Sequence, residues 1–257
     1  MVGLASLSME RLGYPLPGRS ERNRLMKITV FGANGPTGRL LTRLALDEDH
    51  DVVAFTRHPG AFPIDHPRLE VAGGDVHDPD AVAAAIDGTD AVLSTLGVPF
   101  AKTPITVYSH GLTNIVAGMH AAGVKRLAVV SSSAVSPHPE PLGGFVFEKI
   151  LQPYVVNKLG KTVYDDMRRM EAIVAASDLA WTIVRPSGLF EAPTVSEYGV
   201  EIDHIGHRFT ARIDLADCLL RQALDDTYVR SAIAVATPGA RPSMLKLIWQ
   251  EGLRKKS

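Results

Sequence analysis

Cysteine is almost missing from this chain: 257 residues contain one, Cys218. A framework of intramolecular disulfides is thereby excluded, and the usage fits a reducing compartment, so a cytoplasmic protein is expected. Cys218 stands among Leu215, Leu219 and Leu220, the setting of a core thiol rather than a reactive one. An excess of either charge is also lacking. With 27 basic and 28 acidic residues the net charge is −1, which offers no broad attraction to nucleic acid or to an anionic membrane. No apolar run approaches the roughly 18 residues that span a bilayer, and no period of about 20 to 50 residues marks a repeat array. Residues 1–25 have neither the continuous apolar stretch of a secretory signal nor a sustained periodicity, and they read as a disordered tail ahead of Met26. Metal ligands are sparse as well. His204 and His207, with Asp203 beside them, have no third strong ligand at a recognisable spacing, so no metal is expected and the segment reads as a loop at a substrate mouth.

The chain is not short of hydrophobic residues, at 46%, enough for a sizeable core, and residues 26–257 read as one domain. Its most informative stretch is KITVFGANGPTG, Lys27 to Gly38. Ile28, Val30 and Phe31 suit a buried parallel strand, while Leu40, Leu41 and Leu44 to Leu46 suit a helix packed on a sheet. Between them Gly32 suits a sharp turn, Gly35 leaves backbone bare for a pyrophosphate, and Gly38 permits close helix–strand packing. Pro36 fits the first helical turn and Thr37 offers a hydroxyl, with Asn34 in the same turn. The segment therefore predicts a dinucleotide site at a helix N-terminus. The alternative is a glycine-rich loop without a ligand.

Further along, strands are predicted at Asp51–Thr56, around Leu69–Ala72, and at Ala91–Thr95, Arg126–Val130, Ala180–Val184 and Ile233–Ala236. Helices are predicted from the Asp78 cap through Ile86, over Thr103–Ala122, within a segment ending at Ser177, and from Asp214. Alternating strands and helices imply a Rossmann-type α/β fold, a doubly wound parallel sheet with a small C-terminal substrate-binding region. The second strand ends in Thr56, Arg57 and His58, a cation where an acid would favour NAD, so NADP (NADPH) is the expected cofactor. Asp75 and Val76 are candidates to border the adenine, and Leu96 and Gly97 lie where a cofactor would pass close to backbone. Ser131, Ser132 and Ser133 follow the fifth strand, where hydroxyls can touch a carbonyl or the nicotinamide amide, though serine is equally at home in such turns. Trp181 reads as packing. Ser243–Leu253 predicts an amphipathic helix that covers a sheet edge or makes a subunit contact, hence a candidate homodimer.

GANGPTG, TRHP (Thr56–Pro59), GDVHD (Gly74–Asp78), SSSAV (Ser131–Val135), YDDMRRME (Tyr164–Glu171), WTIVRPSGL (Trp181–Leu189) and RIDLADCLL (Arg212–Leu220) together carry a resemblance. From Met26 to Thr237 the chain resembles the atypical, NmrA-like branch of the short-chain dehydrogenase/reductase superfamily, especially the biliverdin reductase B and flavin reductase group. The resemblance implies a nicotinamide cofactor along the strand C-terminal ends, Pro186 to Gly188 near the nicotinamide, and a small-molecule substrate pocket built by the loops after the fifth and sixth strands.

Tyr154 and Lys158, in YVVNK, have the four-residue spacing of the family's proton-transfer pair and would share a helical face. There the lysine would lower the tyrosine pKa and the phenol would protonate the acceptor as hydride arrives. Anchoring on Glu171 and Trp181 instead puts that pair at Val163 and Met167, which cannot transfer a proton, with Tyr164, Asp165 and Asp166 as the nearest polar groups. On this alignment Gly143–Leu159 is an inserted, apolar element, a packed lid. Three functions follow: an NADPH-dependent oxidoreductase acting on a flat conjugated acceptor such as a flavin, quinone or related carbonyl; a non-catalytic sensor that binds NAD(P) and signals its redox state to a protein partner; or a carbonyl dehydrogenase using Tyr154 and Lys158.

Overall fold

Periodicity and observed structure coincide over most of the computed structural model, in which residues 25–99, 103–136 and 160–240 are described. The readings made for the tail 1–24, for the lid with Tyr154 and Lys158, and for the helix at 243–253 lie outside the described residues. In chain order the elements are β1 (Lys27–Phe31), α1 (Pro36–Asp47), β2 (Asp51–Thr56), β3 (Leu69–Gly73), α2 (Pro79–Ile86), β4 (Ala91–Ser94), α3 (Val107–Ala122) and β5 (Arg126–Val130). They continue with α4 (Lys161–Ala176), β6 (Ala180–Pro186), β7 (Gly188–Phe190), β8 (Gly199–Ile202), β9 (Phe209–Ala211), α5 (Arg212–Leu224) and β10 (Ser231–Ala236).

The main sheet runs in the order β3-β2-β1-β4-β5-β6-β10-β8. All its pairings are parallel except the last, where β8 lies antiparallel to β10. The chain winds outward from β1 through β2 to β3, then returns to the other side of β1 for β4, so the strand order reverses between β1 and β4. In open α/β sheets ligands bind in the crevice at such a reversal, outside the carboxyl ends of the strands.

Alternating strand residues feed two cores. Val53 and Phe55 join Phe31, Leu112, Ile115 and Met170 under α2, α3 and α4, while Val52 and Ala54 join Ile28, Leu41, Leu215 and Leu219 under α1 and α5. Cys218 is fully buried in the second core, where burial pushes its thiol far above the usual range, so it is the inert packing residue its neighbours predicted. Trp181 packs against the first core.

Three local differences have physical causes. α3 begins at Val107 rather than Thr103, because Pro104 lacks an N–H and disfavours helical geometry in the residue before it. β6 extends through Pro186, whose missing donor is tolerated near the strand end. The segment read as a loop, Phe190 to Ile213, contains β8 and β9, strands of only three or four residues that are too short to show a period.

Candidate functional site

The turn after β1 is tightly built. Gly32 has φ +75°, and a Cβ there would lie 2.7 Å from the Thr95 carbonyl oxygen, so backbone from the turns after β1 and β4 is in direct apposition. The Thr95 hydroxyl secures the contact by donating to the carbonyls of Phe31 (3.0 Å) and Gly32 (3.2 Å). A Cβ on Gly38 would lie 2.3 Å from the Gly32 carbonyl oxygen and 2.7 Å from Ala33 Cα, which makes this glycine the condition for α1 to start where it does.

Gly35 is different. Its φ of −71° suits any residue, and among the described residues a Cβ there would meet only the Gly32 oxygen, at 3.2 Å, so the packing of those residues leaves space over this backbone. Gly35 is also the N-cap of α1, where no side chain caps the first N–H groups, Pro36 occupies the first turn, and no acid lies in that turn. By contrast, α2 is capped by Asp78, which accepts from Asp80 N (3.0 Å) and Ala81 N (3.3 Å). A bare, uncapped helix N-terminus at the sheet's reversal point has the geometry and sign to receive a pyrophosphate. Asn34 points its amide oxygen to Arg39, accepting from Nε (3.0 Å) and Nη2 (2.7 Å), and Thr37 is buried beside it.

Around this turn the predicted residues collect at strand ends. Thr56 at the end of β2 is paired with Gly73 of β3, which brings Arg57 near the loop carrying Asp75. The Asp75 carboxylate accepts from His77 N (2.9 Å) and Nδ1 (2.7 Å). Those bonds, with the positive charge of Arg57, hold it below the usual carboxylate range. Val76 turns its side chain into the core, and its carbonyl accepts from Asn114 Nδ2 (2.9 Å). Leu96 packs on the core, and among the described residues no non-neighbouring atom lies nearer to the Cβ position of Gly97 than the Thr95 oxygen at 3.9 Å. Ser131 ends β5, buried, and its hydroxyl has no partner among the described residues. The hydroxyl of Ser132 accepts from Ala134 N (3.2 Å), and Ser133 opens the short turn Ser133–Val135.

The α4 residues proposed by the second alignment separate clearly. Val163 and Met167 are buried in the core, and Tyr164 packs against it. Asp165 lies toward solvent, paired with Lys161 (2.8 Å) and Arg168 (3.0 Å), the first of which holds its carboxyl below the usual range. Asp166 is fully buried and accepts from the N-terminus of α3. His207 contributes its backbone carbonyl, which accepts from the Ser187 hydroxyl (2.9 Å), and among the described residues no group of three or more His, Cys, Asp or Glu side chains is placed to hold a metal ion.

Two structural acids escaped the sequence reading. Glu171 receives a two-pronged contact from Arg185, Nε to Oε1 at 3.0 Å and Nη2 to Oε2 at 2.7 Å, directly before Pro186. An arginine at a buried strand end, with an acid on the preceding helix, was the available signal. Asp214 lies in the first turn of α5, fully buried, and accepts from Ser196 N (2.8 Å), Ser196 Oγ (2.7 Å) and Thr237 Oγ1 (2.6 Å). It ties the segment before β8 to α5 and to the end of β10.

Residues 32–226 match the model of the NAD(P)H-binding family. The chain is 28% identical over 228 residues to YhfK of Bacillus subtilis strain 168, described as an uncharacterized sugar epimerase, covering 84% of this chain and 96% of that one. It is 33% identical over 122 residues to a 3 beta-hydroxysteroid dehydrogenase/Delta 5-->4-isomerase of Mycobacterium tuberculosis, covering 43% of this chain and 33% of that enzyme. In fold it is similar to a short-chain dehydrogenase/reductase from Veillonella parvula DSM 2008, solved in complex with NADP, with a TM-score of 0.71 at 20% identity, covering 86% of this chain and all of the other. With turn, topology and family match in agreement, the chain belongs to the NAD(P)H-binding family.

Proposed function

We propose that this protein is an NADPH-dependent reductase that delivers hydride to a flat conjugated acceptor such as a flavin, a quinone or a related carbonyl compound. The observation that carries the proposal is the bare helix N-terminus at Gly35, uncapped and free of acids, between the adjoining ends of β1 and β4. Residues 32–38 would hold the pyrophosphate through backbone N–H groups, with Thr37 adding a hydroxyl. Arg57 would pair with the ribose 2′-phosphate, the group that separates NADP from NAD, and among the described residues it makes no hydrogen bond. Asp75 with Val76, then Leu96 with Gly97, would border the cofactor as it crosses the strand ends toward Ser131 and Pro186. Once bound, the nicotinamide supplies a hydride equivalent.

The rest is the protein's positioning work. Val163 and Met167 are apolar and buried, so α4 offers an acceptor no proton there. Tyr108 is buried in the core, where burial pushes its phenol up to about 12, and its oxygen is engaged by Val98 N at 3.2 Å. An acceptor that stacks on a flat ring and takes its proton from water needs orientation more than acid–base groups. Ser131 and Ser132 remain as hydroxyls at the end of β5 to orient a carbonyl or the nicotinamide amide.

The test is NADPH oxidation followed by its absorbance with a panel of flavins and quinones, beside NADPH binding measured by fluorescence. Turnover with at least one acceptor is expected. Binding without turnover on any acceptor would remove the reductase reading and leave a sensor, which must bind oxidised and reduced cofactor unequally to signal their ratio.

A further inference from the structure

Asp166 is a fully buried carboxylate for which the proposed chemistry has no use. It belongs to α4 yet completes another helix. The N-cap of α3, Thr106, provides no side-chain cap, and Asp166 accepts in its place from Tyr108 N (2.9 Å), Ser109 N (3.4 Å) and the Ser109 hydroxyl. Arg169 balances the charge, donating from Nη2 to Asp166 Oδ1 (3.1 Å) and to the Ile105 carbonyl (3.1 Å). A carboxylate from one helix thus sits on the positive end of another, where it satisfies donors and meets the helix dipole.

The capped end of α3 in turn fixes two loops. Tyr108 is buried, and its hydroxyl accepts from Val98 N (3.2 Å), pinning the chain just after Leu96 and Gly97. Asn114, two turns further along α3, donates to the Val76 carbonyl, and Thr106 lies 3.5 Å from His77 Nε2. Gly111 makes the fit close: a Cβ there would lie 2.7 Å from Val76 Cγ2 and 3.2 Å from Leu96 Cδ1. The loops after β3 and β4 therefore rest on the same helical half-length whose origin Asp166 sets.

We infer that Asp166 is a positioning residue for the dinucleotide: through the N-terminus of α3 and the Tyr108 hydroxyl it sets where Val76 and Leu96–Gly97 meet the cofactor. The inference rests on the cofactor site proposed above. It assigns no chemistry to Asp166, which touches neither cofactor nor acceptor. Because both loops border parts common to NADH and NADPH, disturbance of the network lowers affinity for both cofactors equally, unlike the loss of Arg57.

Two variants of graded severity test it, each compared with wild type for thermal stability and for Kd of NADH and NADPH. Tyr108→Phe keeps the ring in the core and removes only the acceptor for Val98 N. The expected result is a Kd raised about 2- to 10-fold for both cofactors, the worth of one hydrogen bond, with the ratio between cofactors unchanged. Asp166→Asn keeps an acceptor while losing the charge, and its Kd rises at least as much. A purely structural role would lower Tm and leave the affinity of the folded protein untouched. Wild-type Kd values in both folded variants, or a loss confined to NADPH, would overturn the inference. Wild type binding neither cofactor would instead defeat the underlying site assignment.

Discussion

Gly35→Ala separates a glycine kept for a ligand from glycines kept for the fold. In the absence of cofactor the backbone at Gly35, φ −71° and ψ 162°, accepts alanine without strain, and among the described residues the new methyl meets only the Gly32 oxygen at 3.2 Å. Gly→Ala at a compatible position gains about 0.4–1 kcal/mol from the unfolded chain's reduced freedom. A contact of 3.2 Å asks the neighbouring oxygen to give by a few tenths of an ångström, which offsets part of that gain. Stability should therefore change by no more than about 1 kcal/mol, a Tm shift of roughly 2–4 °C in a domain of this size. Binding should respond differently, because the methyl occupies the space through which phosphate oxygens would reach the backbone donors of α1. Losing one charge-assisted hydrogen bond worth about 1.5–3 kcal/mol weakens NADPH about ten- to a hundredfold. Gly38→Ala is the control: its Cβ would lie 2.3 Å from backbone oxygen, so β1 and α1 must move apart and the Tm must fall sharply. Thermal denaturation without cofactor, with NADPH titration by fluorescence, measures both quantities. A folded Gly35→Ala that binds NADPH like wild type refutes the phosphate-cradle reading, and one that unfolds shows that the glycine serves packing after all.

Arg57→Ala should weaken NADPH about ten- to a hundredfold and barely change NADH, with the difference shrinking as salt rises, because the contact is exposed to solvent. Equal loss for both cofactors would make Arg57 a general support of its loop. Glu171→Ala should lower stability by about 3–5 kcal/mol, since it strands the Arg185 guanidinium, whose side chain is only 7% exposed, and leaves Asp203 at 3.6 Å as its remaining acid among the described residues. A Tm within about 2 °C of wild type would show that the site hydrates freely. His50, buried with Nδ1 accepting from Met26 N at 3.3 Å, has its pKa lowered by burial. Its unfolded form therefore binds a proton more readily, and the stability it contributes is present above the unfolded pKa of about 6.5 and lost as pH falls toward the folded value. Tm measured from pH 8 down to pH 5 should decline more steeply for wild type than for His50→Asn, and parallel curves would dismiss His50 as a contributor.

What the sequence determined by itself was whatever rests on short-range pattern. The apolar run in DVVAFT, the three glycines after β1 and the Asp78 cap were legible because strand, turn and cap are local demands met by adjacent residues. The alternation of strands and helices then allowed few topologies, and the winding that brings β4 beside β1 is among them. Tertiary structure decided how closely the backbone approaches those glycines, since the distances from Gly32 to Thr95 and from Gly38 to Gly32 depend on how turns meet. It also decided the fate of the acids. Asp165 and Asp166 are neighbours of identical chemistry, yet one faces solvent beside Lys161 and the other is sealed over the end of α3. Their difference is a rotation of about 100° around a helix, and only the position of the neighbouring helix gives that rotation a meaning.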